Sequence, residues 1–375
     1  MSTPASDAFR YAHAHHDEIA WLSQNTNHLV PPDVIRSALE STIRQRRYEG
    51  YPLATGDPEL LDAVSKDFGA SGLSPFLTGG GTEALYMTMR ALLSPADEVI
   101  ASDPSYLIIH RFVELSRAVP KNLDIYAPPY RLTADRIQEA VGPRTKMILL
   151  IDPLNPLGSG YPREEVRAIA EIAHDRHLFL LNDVTYRDFS DGHALAAEFA
   201  PEETVTVWSV SKNCGLAGLR LGGLLARPEL LKTITRFNTN DLGVNVLAQA
   251  AALAALRSKP QWIGAVVRQT RANGARIRDV VGGVSGTSLP VYPSRANMMV
   301  IDIAPTGVPP ESVQDEMLRR HGVFVRAGNY LSPTHGGRFV RVSFSTPPAD
   351  IERFATAFPA AMQALGARTP AARAA

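Results

Sequence analysis

From about residue 75 to residue 226, short aliphatic or β-branched runs alternate with longer segments in which apolar residues recur every three or four positions. The first period predicts strands and the second predicts helices. Strands are read at PFLTG (75–79), EVIASD (98–103), LDIYA (123–127), KMILLID (146–152), HLFLLND (177–183), TVTVWSV (204–210) and LRLGGLLA (219–226). Helical patterns fill 82–93, 105–118, 133–141 and 163–175, the last opened by Pro162 and an acidic first turn. Near-continuous apolar strands separated by helices predict an α/β fold, with a three-layer, mostly parallel sheet of about seven strands covered on both faces.

From 228 to 283 the pattern is helical throughout, with VLAQAAALAAL as its most apolar part, until Gly282, Gly283, Gly286 and Pro290 break it. Beyond the break, short strands at NMMVIDI (297–303), VFVRA (323–327) and FVRVSF (339–344), with helices near 310–320 and 348–365, predict a smaller α+β C-terminal domain. The division expected is an N-terminal arm, 1–45, packing with the small domain, a large domain, 46–290, and the small domain, 291–375. The closing residues LGARTPAARAA (365–375) read as a frayed tail.

Composition narrows the partner. A chain of 375 residues, 45% hydrophobic, can bury one large core and a smaller one. Lysine plus arginine and aspartate plus glutamate number 38 each, so no overall field draws the protein to nucleic acid or to a membrane surface. A small molecule is the expected partner. The one cysteine, Cys214, has no internal disulfide partner, and MSTPASDAFRYAHAHHDEIAW lacks the basic flank and apolar core of a signal peptide, so a cytoplasmic location is expected. No apolar run approaches the ~18 residues of a membrane helix. His13, His15 and His16 stand without a cysteine or carboxylate cluster; they read as a mobile polar N-terminus, and no metal site is expected.

In open α/β sheets ligands sit beyond the carboxyl ends of the strands, and the unusual polar residues fall there. TGGGTEAL (78–85) is a glycine-rich turn into a helix whose free N–H groups suit a phosphate. DPLNPLGSG (152–160) puts Asn155 on a turn, NDVTYRDF (182–189) ends a strand in Asp183, and SVSKNCGLAGLR (209–220) carries Lys212 and, eight residues on, Arg220. Singly these fit a tight connection, a turn, a helix cap and a solvated lysine. Together they describe a site for a pyridine aldehyde phosphate.

Taken in order, YPLATGDPELLDAV, GGGTEAL, DPSY, NPLG, DVTY, SVSKNCGLAGLRLG, YPSRANMMV and FVRVSFS resemble the fold-type I pyridoxal-phosphate enzymes, specifically the class I/II aminotransferases and their histidinol-phosphate aminotransferase-like branch. The likeness runs through most of the chain. It implies pyridoxal 5′-phosphate as cofactor, with Lys212 forming the Schiff base and carrying a 1,3-proton shift. Asp183 would pair with the pyridine nitrogen, Asn155 and Tyr186 would hydrogen-bond the phenolic oxygen, and Tyr106 would stack on the ring. Gly81, Thr82, Ser209, Ser211 and Arg220 would hold the phosphate. Tyr51 would reach the phosphate of a neighbouring subunit, which implies a homodimer with shared active sites. Arg341 would grip the substrate α-carboxylate, or a phosphate as in histidinol-phosphate relatives; Asn25 and Asn297 would lie on the substrate side, and Arg326 reads as solvated.

The chain departs from the family pattern in places. Asn25-Thr26-Asn27-His28 replaces N-E-N-P in the arm that closes over substrate, Val184 and Thr185 follow the ring aspartate, and Cys214 and Gly223 stand where aromatics are common. The Thr185 hydroxyl is expected close to the cofactor's phenolic side. The implied function is an aminotransferase acting on an α-amino acid or related amino compound, with a 2-keto acid as acceptor. The alternative is an elimination, cyclisation, decarboxylation or oxidation on the same scaffold, because the same residues serve each. A non-catalytic sensor behind a DNA-binding module is set aside, since the ~45 residues ahead of the core show no basic recognition helix and net charge is zero.

Overall fold

Strands that are apolar at almost every position can only be satisfied by burial on both faces, and these build the centre of one sheet. The structure, a computed structural model, describes residues 4–367; the tail read as frayed lies outside the described residues from 368 onward. Helix α1 (Pro4–Ala14), strand β1 (Ala20–Trp21), α2 (Pro32–Arg44) and α3 (Pro58–Phe68) come first. Then follow β2 (Ser74–Thr78), α4 (Gly81–Leu92), β3 (Glu98–Asp103), α5 (Ile108–Leu115), β4 (Val119–Asp124), α6 (Ala134–Ala140), β5 (Thr145–Ile151), α7 (Arg163–Asp175), β6 (Phe179–Asp183), β7 (Thr204–Ser209) and β8 (Gly222–Ala226). The sheet order is β2-β8-β7-β6-β5-β3-β4. Strand β8 runs antiparallel to both neighbours, and the other pairs are parallel.

Two expectations are corrected here. The third strand is Val119–Asp124, four residues before LDIYA. It is the sheet edge, with Pro120 and Lys121 on it, and an edge strand is half solvated and carries no continuous apolar run. The helical stretch from 228 is two helices, α8 (Pro228–Thr235) and α9 (Val246–Gly282). Between them Asn238 Oδ1 accepts from Asn240 N–H at 3.0 Å, and Gly243 adopts φ +81° with no room for a Cβ, which would stand 2.6 Å from Leu53 O. Asn245 then caps α9 by accepting from the N–H groups of Leu247 and Ala248.

The C-terminal unit holds β9 (Met298–Asp302), α10 (Pro310–His321), β10 (Val323–Phe324), β11 (Arg326–Ala327), β12 (Phe339–Ser343) and α11 (Pro348–Ala364). VFVRA, expected as one strand, is split: β10 pairs with β1, while β11 pairs with β12 in the sheet β11-β12-β9. Ala8 and Ala12 of α1 pack against Leu318 and Phe324, so residues expected to be a mobile polar N-terminus form a helix seated on this unit. Ile35 and Leu39 of α2 instead join the core around Trp262 and Ala248. Among the described residues, no helix is long and apolar enough to cross a membrane.

Below the loop after β7 lies a buried ion network. Lys259 of α9, only 7% exposed, donates to Asp67 Oδ1 and to Asp188 Oδ1 at 2.8 Å each. Arg187 pairs with Asp67, and Asn213 donates to Asp188. Burial alone would raise the Asp188 pKa, but Arg187 and Lys259 more than offset it and hold the carboxyl below its ordinary range. Its contribution to stability is therefore full above the usual carboxylate pKa and is lost as pH falls through the depressed value. Lys259→Met, which removes the ammonium shared by Asp67 and Asp188 and leaves them Arg187 and Asn213, should cost about 3 kcal/mol in denaturant unfolding at neutral pH. The loss should shrink in acid as Asp188 takes up its proton.

Candidate active site

Because β3, β5, β6 and β7 run the same way, their carboxyl ends share one rim, and β2 joins them as the second neighbour of antiparallel β8. The chain passes outward from β3 to β4 and returns to β5 on the other side of β3. That reversal opens a crevice at the rim. A cavity of about 390 Å³ occupies it, lined among others by Gly81, Thr82, Tyr106, Asn155, Asp183, Tyr186, Ser209, Ser211, Lys212, Arg220 and Arg341. Asn25 closes it from the N-terminal arm.

One end is built of donors. Helix α4 starts from Gly80, at φ +106°, with no side-chain cap, so the N–H groups of Gly81 and Thr82 stay open to a ligand. Glycine is required where β8 begins, since a Cβ on Gly222 would stand 2.6 Å from Gly81 N. Ser209 Oγ, at the end of β7, donates to Ser211 Oγ at 2.9 Å. Arg220 lies against Gly80, its Nη2 2.7 Å from where a Cβ would be, and Nη1 donates to Ala217 O at 2.9 Å. No carboxylate lines this end, and an anion is what it suits.

The middle of the cavity holds the titrating groups. Lys212 Nζ donates to Gln24 O at 2.7 Å. Burial lowers the lysine pKa to about 7, helped by Arg341 and Arg220 and opposed by Asp183. Asp183 Oδ1 accepts from Thr185 N–H at 3.0 Å and from Thr185 Oγ1 at 2.6 Å. The Thr185 hydroxyl thus donates to Asp183, because the turn brings residue 185 back onto residue 183. Burial raises the Asp183 pKa against those bonds and Lys212, as expected of a carboxylate that lacks a full counter-charge.

At the other end Arg341 Nη1 donates to Asn155 Oδ1 at 2.7 Å and Nη2 donates to Ser23 O at 2.6 Å, while Nε is buried without a partner. Burial lowers its pKa to about 10. Tyr186 Oη accepts from Asn25 Nδ2 at 3.0 Å, and burial raises its pKa. Arg326 also lines the cavity, stacked 4.7 Å from the centre of the Phe9 ring and 4.3 Å from that of Tyr330. It is not the solvated arginine expected. Its register partner across β11 and β12 is Arg341, and residues directly opposite share a face.

Two predicted residues lie elsewhere. Asn297 is fully buried outside the lining and donates through Nδ2 to Asn25 O at 3.0 Å, so it meets the arm rather than the cavity. Tyr51 is 80% exposed and lines a separate surface cavity. Sequence reasoning missed Ser23 and Gln24, which act through backbone carbonyls, and Phe9 and Tyr330, whose role depends on tertiary stacking.

The donor set tests the cofactor. An anion cradle, an incompletely compensated buried acid, two polar groups beside it and a lysine of depressed pKa match the phosphate, ring nitrogen, phenolic oxygen and aldehyde of pyridoxal 5′-phosphate. Among the described residues no group of His, Cys, Asp and Glu could hold a metal ion.

The family model described as aminotransferase class I and II matches residues 17–358. The chain is 29% identical over 342 residues to the aspartate/prephenate aminotransferase of Thermus thermophilus, covering 86% of this chain and 87% of that protein. It is 28% identical over 344 residues to histidinol-phosphate aminotransferase 1 of Mesorhizobium japonicum, covering 90% and 88%. In fold it is similar to a solved aminotransferase from Mycobacterium tuberculosis, with TM-score 0.84, 21% identity, and 97% and 99% of the two chains covered.

Lys212 gives the first chemical test. In cofactor-free protein it should be labelled by an aldehyde and borohydride with a pH midpoint of about 7, far below an ordinary lysine. Peptide mapping after labelling across the neutral range reads the midpoint. Labelling of Lys212 that rises only where surface lysines do would refute it.

Proposed function

We propose what this protein does with its cavity: the chain belongs to the class I and II aminotransferases, which work with pyridoxal 5′-phosphate, and it moves the amino group of an α-amino acid, or a close amino analogue, to a 2-keto acid. The observation that carries the reading is Lys212, its pKa lowered to about 7 beside the buried acid Asp183, between a carboxylate-free donor cradle and Arg341. Relatives named for aspartate, prephenate, histidinol phosphate and arginine match at nearly equal identity, which supports the shared reaction.

Pyridoxal 5′-phosphate, when bound, supplies an aldehyde that bonds amines and a pyridine ring that accepts the electron pair released at the substrate Cα. Gly81, Thr82, Ser209, Ser211 and Arg220 would bind its phosphate, and Tyr106 would cover a ring face. Asp183 would keep a proton on the ring nitrogen through Oδ2, the oxygen Thr185 leaves free. Asn155 and Tyr186 would donate to the phenolic oxygen. Lys212 Nζ, whose burial favours the neutral amine, is the base that would take the Cα proton. Arg341 would pair with the substrate carboxylate, for which its unpartnered Nε is a donor.

Tyr51 and Leu53 line one surface cavity and are both exposed, an apolar surface suited to a second copy of the chain. In that homodimer Tyr51 would reach the neighbouring cavity.

Two experiments test this reading. Holoenzyme mixed with one amino acid and no keto acid should stop after a single half-reaction, its visible band replaced by that of the pyridoxamine form, and should recover when a 2-keto acid is added. Steady release of ammonia, carbon dioxide or peroxide without an acceptor would replace transamination by elimination, decarboxylation or oxidation. Mixing inactive Lys212→Ala with inactive Tyr51→Ala subunits should restore part of the activity, because a hybrid dimer carries one complete site. No recovery after demonstrated subunit exchange would remove Tyr51 from the neighbour's site.

A further inference from the structure

Tyr186 has a single hydroxyl proton, and its surroundings decide where that proton points. Its oxygen accepts from Asn25 Nδ2 at 3.0 Å, and an amide nitrogen can only donate. The tyrosine proton must therefore point away from Asn25, and no protein acceptor takes it among the described residues. Asn155 is fixed by the same reasoning: its Oδ1 is occupied by Arg341 Nη1 at 2.7 Å, which leaves its amide N–H groups free. Both residues line the one cavity.

Asn25 is held unusually firmly for a loop residue. It is 1% exposed and adopts φ +55°, in the left-handed region that asparagine enters more readily than other side-chain-bearing residues. Its N–H donates to Ser343 Oγ at 3.1 Å, and its carbonyl accepts from Asn297 Nδ2 at 3.0 Å. Its Oδ1 is buried without a partner. With its N–H and carbonyl both engaged and Oδ1 without a partner, the residue has one side-chain contact left. That contact is the bond to Tyr186.

We propose that Asn25 is a positioning residue whose amide fixes the direction of the Tyr186 hydroxyl, so that Tyr186 and Asn155 donate together to an anionic oxygen in the cavity. This rests on the reading of the cavity as the pyridoxal-phosphate site and gives Asn25 a role other than contact with substrate. The charged and titratable groups facing Tyr186 are Arg341 from β12, Asp183 from β6 and Tyr106 from the loop after β3, and all stay unchanged in the test. Burial raises the Tyr186 pKa, so it keeps its proton throughout the range used.

The measurement is the pH midpoint of the visible band of the cofactor-loaded protein, read without turnover. Losing a donor to the ring oxygen leaves more negative charge there and makes the neighbouring proton harder to remove, so the midpoint rises. Tyr186→Phe should raise it by roughly 0.5–1 pH unit. Asn25→Gly should raise it by at least a few tenths of a unit, since glycine accepts φ +55° and only the side chain is lost. The double variant should match Tyr186→Phe alone, because Asn25 acts only through the hydroxyl. Asn25→Ala, neutral and without the donor, should also raise the midpoint and serves if the glycine variant folds poorly. A wild-type midpoint in Asn25→Gly or Asn25→Ala, or a double variant shifted beyond Tyr186→Phe, overturns the proposal. An unmoved midpoint in Tyr186→Phe removes the reading of the site, and the proposal with it.

Discussion

Everything at the rim answers to one difficulty, which is keeping a lysine out of water beside two arginines. An ammonium in that position loses its hydration and gains like-charged neighbours, and Asp183 alone works in its favour. The fold relieves the strain by letting Lys212 approach neutrality and by giving its nitrogen the Gln24 carbonyl as an acceptor. A sheet rim can impose this because the strand ends are fixed by a core that is dry on both faces. A surface loop with the same residues would let the lysine swing into solvent.

That constraint explains why the lysine loop is fastened from below and from the side. Asn213, next in sequence, donates to Asp188 in the Lys259 network, and its carbonyl accepts from Asn27 Nδ2 at 2.7 Å. The N-terminal arm is therefore tied to the loop twice, once through Asn27 and once through Gln24. The arm also receives Arg341 at Ser23 O and Asn297 at Asn25 O. Segments far apart in sequence thus converge on Ser23, Gln24, Asn25 and Asn27, and the first three contribute their own backbone carbonyls.

Those carbonyls mark the limit of what could be read beforehand. The central strands and the polar groups that follow them were legible because an apolar run and a residue such as Lys212 or Asp183 each leave a mark in the one-dimensional pattern. A carbonyl leaves none, so Ser23 and Gln24 were silent. Arg326 was visible but misread, because its burial depends on the β11–β12 register, which sets it opposite Arg341. Strand β4 was displaced because an edge strand has no apolar signature. Gly223 was noted as a departure, and the structure supplies its reason: a Cβ there would stand 2.2 Å from Phe76 O, leaving no room for a side chain.

The balance of charge around the cavity completes the argument. Lys212, Arg220, Arg326 and Arg341 line it against the single carboxylate of Asp183. Mutual repulsion and burial together lower the pKa of both Lys212 and Arg341. An anion at either end would relieve that repulsion, so a phosphate at the Arg220 end and a carboxylate at the Arg341 end would each bind more tightly than either arginine alone could arrange. Each would also draw the Lys212 pKa back upward. The positive neighbours that assist burial in lowering the Lys212 pKa are thus also a source of affinity for anions, so moving an arginine alters both properties.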